Sequence, residues 1–246
     1  MADSLVFVGR SVRHSVRSID AIMVAVLLPV LILLLFVYVF GGAIDTAGDY
    51  VDYVVPGVTL LCAGYGSATT ALSVNQDMTT GVIDRFRSLP IASSGVLTGH
   101  VVASVLRNLL STVLVLAVAL LIGFDPHASA LDWLGVAGIL LAFMIAISWT
   151  AACFGLLAKS PEGAGAFSFV IMFLPYVSSA FVPTDTMPGA LEWIGDRQPV
   201  TPIVETLRGL MLGTPIGGHA VTALLWCAGL AAIGIAGAGL LFRRAS

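Results

Sequence analysis

A polar segment between two apolar runs reads Asn75-Gln76-Asp77-Met78-Thr79-Thr80-Gly81-Val82-Ile83-Asp84-Arg85-Phe86-Arg87-Ser88-Leu89-Pro90. Val82, Phe86 and Leu89 recur at i, i+4 and i+7, a spacing that predicts a short helix over 79–89 with one apolar edge. Asp84, Arg85, Arg87 and Ser88 cover its other faces, and Pro90 ends it. Such a helix either joins its neighbours along an interface or docks. In the second case the apolar edge enters a groove on a partner while the charges set its orientation. Arg107 and Asn108 lie about two turns into the next apolar run. An ionisable group there is a functional candidate by default, and a cation snorkelling to the interface is the structural alternative. Phe169, Phe173 and Tyr176 form an aromatic stripe at i, i+4 and i+7, suited to packing or to an apolar passenger.

Other chemistries lack their residues. A phosphate-cradling loop needs a lysine after glycine, and the one lysine, Lys159, follows Ala158. No H-E-x-x-H or G-x-S-x-G occurs, so metalloprotease and serine-hydrolase readings fall away. His14, His100, His127 and His219 sit in different connections or helix ends, which argues against a shared metal. Cys62, Cys153 and Cys227 are widely separated in apolar runs, against a disulfide framework or zinc site. A net charge of −3 without a basic stripe argues against nucleic acid. No cofactor is expected in this chain.

The elements that must position these residues are membrane spans. Of 246 residues, 58% are hydrophobic and 10% charged, against about 25% charged in soluble domains. A span needs roughly 20 mostly apolar residues. Six are expected, at about 21–40, 54–74, 101–123, 134–157, 165–182 and 220–242, within a single all-α integral membrane domain over 1–246. Residues 3–19 read instead as an interfacial amphipathic helix. Arg10, Arg13, His14 and Arg17 share one face, while Leu5, Val8, Val12, Val16 and Ile19 take the other. A signal peptide competes, but the following apolar run is long and lacks a small-residue cleavage site, so a retained first span is expected. The second span, rich in Gly, Ser and Thr, should pack closely among neighbours. The outer segment 183–218 carries Pro183, Pro188, Pro199, Pro202 and Pro215.

With the N-terminus inside, Arg10, Arg13, Arg17, Arg85, Arg87, Lys159, Arg243 and Arg244 are cytoplasmic, against Arg197 and Arg208 outside. That asymmetry places both termini in the cytoplasm.

The run from Asp77 to Pro90, with Gly81, Asp84, Arg85 and Leu89 in place, resembles the conserved cytoplasmic loop of type-2 ABC exporter permeases, especially the daunorubicin-resistance (Drr) branch. Phe181-Val182-Pro183, Met187-Pro188, Gln198-Pro199-Val200-Thr201-Pro202 and Glu205-Thr206-Leu207-Arg208-Gly209 are similar to that family's outer segment. The likeness runs over nearly the whole chain in helix order. Gln198 stands where many members have asparagine, Asp77 where they have glutamate, and the basic residue often found near Thr79 is missing.

The resemblance implies a permease subunit of the bacterial plasma membrane that dimerises with a second copy or a sibling permease. It would contact membrane lipids and bind separate ATPase subunits, which hold ATP and Mg. Thr79–Leu89 would be the coupling helix, with Asp77, Gly81, Val82, Asp84, Arg85, Phe86, Arg87 and Leu89 docking the ATPase. Residues 183–218 would form a re-entrant helical hairpin broken at Pro188, Pro199 and Pro202, tolerable at membrane depth only where protein shields its backbone. Spans two and five would line the route of a hydrophobic or amphipathic substrate, which draws in Tyr65, Ser67, Arg107, Asn108, Phe169, Phe173 and Tyr176. Two rivals stand beside this reading. One is an ion-gradient-driven secondary transporter, which needs mid-membrane acids that the spans lack. The other is a non-transporting scaffold or immunity protein.

Overall fold

A computed structural model describes residues 19–44, 48–80 and 94–244. The described chain is helical throughout: α1 (Ile19–Leu35), a π-helical turn (Phe36–Phe40), α2 (Tyr50–Tyr65), α3 (Ser67–Thr79), α4 (Ser94–Leu121), α5 (Ala130–Leu157), α6 (Pro161–Gly165), α7 (Phe167–Phe173), a 3-10 turn (Leu174–Val177), a further 3-10 turn (Thr184–Thr186), α8 (Gly189–Arg197), α9 (Val200–Leu212) and α10 (His219–Arg244). The expected interfacial helix 3–19 and all but the first residues of the expected coupling helix lie outside the described residues.

Among the described residues, three helices are long and apolar enough to cross a membrane: Gly95–Leu121, Ala130–Leu157 and His219–Phe242. They correspond to the third, fourth and sixth expected spans. The other three expected spans differ in form. The first is α1 running into the π turn. The second is divided at Gly66 into α2 and α3, and the fifth is divided into α6, α7 and a 3-10 turn. Each division has a local cause. Gly66 lacks a side chain where α4 presses in, and Pro175 withholds a backbone N–H inside the 3-10 turn.

α5 is the centre of the bundle. It starts from a capping box, in which Ser129 N–H donates to Asp132 Oδ2 at 2.9 Å and Asp132 N–H to Ser129 Oγ at 3.3 Å. Its Met144, Ala146, Ala151 and Ala152 are fully buried among α2, α3, α4, α9 and α10. α10 lies at the edge, with Val221, Leu225, Ile233 and Leu240 exposed, a face suited to lipid. α9 is buried almost all round, from Val200 through Met211. Pro188 and Pro199 stand at the caps of α8 and α9, as helix starts allow. Pro202, expected at a break, instead lies in the first turn of α9. The N–H it lacks would have had no helical partner there, so no break results.

Candidate functional site

Arg208 on α9 organises the end of the bundle at which α2 begins. Its side chain is nearly buried, and Nη2 donates to Ser179 O at 2.8 Å and to Tyr53 O at 3.1 Å. Nη1 pairs with Glu205 one turn back. The guanidinium stacks on the Tyr53 ring, 3.9 Å from its centroid. Both tyrosines at the start of α2 join the same strap. Tyr53 donates to Ser179 O at 3.0 Å and Tyr50 to Phe181 O at 2.9 Å. Both stand before the expected second span. Burial pushes the Tyr53 phenol up to about 12, and the Tyr50 phenol still higher, so each keeps the proton it donates.

The backbone these groups hold is the irregular stretch after the 3-10 turn. Gln198 Nε2 donates to Val177 O at 2.7 Å and Leu174 O at 3.1 Å, and Ser179 N–H reaches Thr201 Oγ1 at 3.3 Å. Arg208 and Tyr53 therefore take up Ser179 O, and Tyr50 takes up Phe181 O, giving the non-helical backbone the partners that a membrane protein demands. α2 meets this stretch directly: a Cβ at Gly57 would stand 2.5 Å from Ala180 O.

The second cluster sits where α2 gives way to α3. Ser67 Oγ donates to Gly64 O, and Thr69 Oγ1 to Gly66 O at 2.7 Å. Arg107 Nη2 reaches the same Gly66 carbonyl at 2.8 Å and lies 3.5 Å from Thr70 Oγ1. A Cβ at Gly66 would fall 2.0 Å from Asn108 Oδ1, so any side chain here would have to displace the Asn108 amide. The sequence-derived candidates Ser67, Arg107 and Asn108 are thus brought together, with Tyr65 half-buried beside them. Arg107 caps a broken helix from the neighbouring one.

The aromatic stripe divides. Phe169 and Phe173 are exposed together at 63% and 59%. Tyr176 leaves their face because the 3-10 turn changes the pitch, and it stacks on buried Phe181 at 4.9 Å. Phe36 also stacks on Phe181 at 4.3 Å and lies 6.4 Å from Tyr176. The rings Phe173, Tyr176, Phe181, Phe36 and Phe40 follow one another at 4.3–6.4 Å. Span one thereby joins span five, a link that spacing within span five could not disclose.

At the opposite end, Asp77 Oδ2 and His100 Nε2 are 2.8 Å apart, tying α3 to α4 across the segment between them. Asp77 is the one docking candidate among the described residues. Gly81, Val82, Asp84, Arg85, Phe86, Arg87 and Leu89 lie outside them. Deeper in, Asn75 Nδ2 donates to Ala158 O at 2.6 Å and Gly155 O at 3.1 Å, closing the end of α5.

Sequence reasoning gave Arg208, Glu205 and Gln198 no role beyond a motif match, and it passed over Tyr50, Tyr53, Thr59, Ser111 and Thr112. One signal was readable. Ser104, Arg107, Asn108, Ser111 and Thr112 fall at i, i+3, i+4, i+7 and i+8 of a single helix, a polar stripe inside an otherwise apolar span.

Comparison with known proteins is consistent with this architecture. The chain is 34% identical over 212 residues to the "Daunorubicin resistance ABC transporter permease protein DrrB1" of Streptomyces coeruleorubidus, covering 85% of this chain and 74% of that protein. It is 24% identical over 251 residues to the "Probable doxorubicin resistance ABC transporter permease protein DrrC" of Mycobacterium tuberculosis, covering all of this chain and 90% of the relative. A 125-residue stretch is 27% identical to the same organism's "Doxorubicin resistance ABC transporter permease protein DrrB", covering 51% of this chain and 43% of that one. Residues 4–212 match the family described as ABC-2 type transporter, and the chain belongs to that family.

Proposed function

We propose that this chain is the permease subunit of an ATP-driven exporter that moves a hydrophobic or amphipathic compound, such as a drug or antibiotic, out of the cell. The observation that carries the reading is the 34% identity across 74% of a permease named for daunorubicin resistance. The chain crosses the plasma membrane six times with both termini in the cytoplasm, and works as a pair with a second copy or a sibling permease. ATP and Mg belong to a separate ATPase subunit, docked on the 79–89 segment.

The geometry supports this division of labour. The Asp77–His100 bridge holds α3 and α4 together beside the docking segment, so a push there reaches both helices. The break at Gly66 lets α3 move without carrying all of α2. Phe169 and Phe173 supply apolar exposed surface next to that break, suited to a passenger with aromatic or aliphatic bulk. At the outer end the Arg208 strap closes the route.

Efflux of daunorubicin from cells carrying this chain and its ATPase tests the function. Export that depends on both subunits supports it. Drug accumulation equal to that in empty cells, with the complex assembled and hydrolysing ATP, removes this substrate class.

A further inference from the structure

The contact between α2 and α4 buries four hydrogen-bonding side chains, three of which nothing among the described residues satisfies. Asn108, Ser111 and Thr112 are 1–2% exposed, and Thr59, on the facing α2, is fully buried. Both amide atoms of Asn108 and the hydroxyls of Thr59 and Ser111 have no hydrogen-bond partner and are sealed from solvent, and the Thr112 hydroxyl has only the Cys62 thiol beside it. By contrast Ser104, one turn before Arg107 on the same stripe, is engaged by Ser148 at 2.9 Å. An orphaned buried polar group costs stability, whereas an apolar side chain of similar shape costs little. In a static helix pair, leucine, alanine and valine would serve better at these positions.

These groups share one seam, whereas the remaining partnerless atoms, Asn75 Oδ1, Ser179 Oγ and Gln198 Oε1, are scattered at the two ends of the bundle. Asp77 faces His100, Thr70 faces Arg107, Gly66 faces Asn108 and Cys62 lies beside Thr112. α4 therefore runs antiparallel along α2 and α3, and its unpartnered groups fall on the outer side of the Gly66 break. That break is where the α2–α3 span is jointed, so separation of α2 from α4 there would uncover all four groups at once.

We infer that this seam opens in another state of the transport cycle and lines a polar passage. Thr59, Asn108, Ser111 and Thr112 then bind neutral hydrogen-bonding oxygen: water, or the hydroxyl and carbonyl oxygens of an amphipathic passenger. The inference rests on the transport reading above, since it requires a cycle with more than one state. It adds a third span to a route that otherwise involves spans two and five. It also explains why the polar groups are concentrated on the side of α4 that faces the joint.

Cys62, 1% exposed and beside Thr112, reports on the seam without any substitution. The assembled complex with its ATPase, in lipid nanodiscs, is treated with a cationic methanethiosulfonate reagent, nucleotide-free and trapped with ATP and vanadate. Peptide mass spectrometry then separates Cys62 from Cys153 and Cys227. Modification of Cys62 should be about tenfold faster in one state than in the other, as a ligand-biased opening equilibrium requires. Cys227, 3% exposed on α10, should show no such dependence. Daunorubicin slowing the Cys62 reaction identifies the passenger as the source of the oxygen, and an unchanged rate identifies water. A Ser111→Cys chain provides a second reporter, on the α4 side of the seam at nearly the same depth. If Cys62 and Ser111→Cys both stay unreactive in each state while ATP hydrolysis proceeds, the seam does not open and this inference is overturned. A complex that neither hydrolyses ATP nor shows state-dependent labelling overturns the transport reading itself.

Discussion

Arg208 Nη2 stands 2.8 Å from the carbonyl oxygen of Ser179, 29 residues earlier in the chain. The same nitrogen holds Tyr53 O, and the guanidinium plane lies over the Tyr53 ring. One side chain thus joins the start of α2, the irregular stretch after the 3-10 turn and α9. Arg208→Ala takes this donor from Tyr53 O and the Glu205 carboxylate and leaves Ser179 O with the Tyr53 hydroxyl alone, a loss on the order of 3 kcal/mol for a broken buried ionic network. Arg208→Lys keeps the charge but neither the two-carbonyl reach nor the stacking. Both variants should melt earlier in detergent than the parent chain, with lysine rescuing only a minor part. Equal melting temperatures for all three proteins would show that the strap contributes nothing.

Gly57 is where α2 touches that irregular stretch most closely. A methyl group there meets Ala180 O at 2.5 Å, so Gly57→Ala should cost about 1–3 kcal/mol by overpacking. Gly42, whose Cβ would meet nothing within 4 Å, is the control. Thermal unfolding of the two alanine variants should differ by several degrees, with Gly42→Ala close to the parent.

Asn108 offers a test in which stability and activity move in opposite directions. Asn108→Leu removes two orphaned polar atoms from a 1% exposed site and should raise stability by about 1–3 kcal/mol. The same change deprives the seam of its amide and should lower efflux. A leucine variant that is less stable and transports normally would contradict both halves.

Much of this molecule was legible from composition and period alone, and the exceptions share a cause. α4, α5 and α10 are long, predominantly apolar helices, which length and composition reveal. The small residues of the second span correctly signalled close packing, and Val54 through Gly64 are buried. Its break at Gly66 was not signalled, because glycine, serine and threonine in a span are compatible with continuous helix. What divides the helix is Arg107 and Asn108 on α4, about 41 residues on. Tyr176 was placed on one stripe with Phe169 and Phe173 because a uniform pitch was assumed, and Pro175 was the clue against it. The outer strap depends on pairs 126 and 155 residues apart, beyond the reach of any local pattern.

The Asp77–His100 bridge ties α3 to α4 next in sequence to the segment proposed to dock the ATPase, with side chains 32% and 18% exposed. Exposed pairs of this kind contribute only about 0–1 kcal/mol, so Asp77→Asn and His100→Gln should fold normally. Each should weaken the coupling of ATP hydrolysis to efflux, and the double variant should be no worse than the more severe single one, as for residues acting as one unit. Additive losses would mean that the two side chains act separately.

The central claim is that this permease is driven by a separate ATPase docked at residues 79–89, and gentle purification of the tagged chain from its native membrane tests it most directly. A stoichiometric protein bearing a phosphate-binding loop should accompany the parent chain and be lost when Asp84–Arg87 is scrambled, with membrane insertion unchanged. If no such protein accompanies the chain in several mild detergents, or if it stays bound to the scrambled chain, the claim is contradicted.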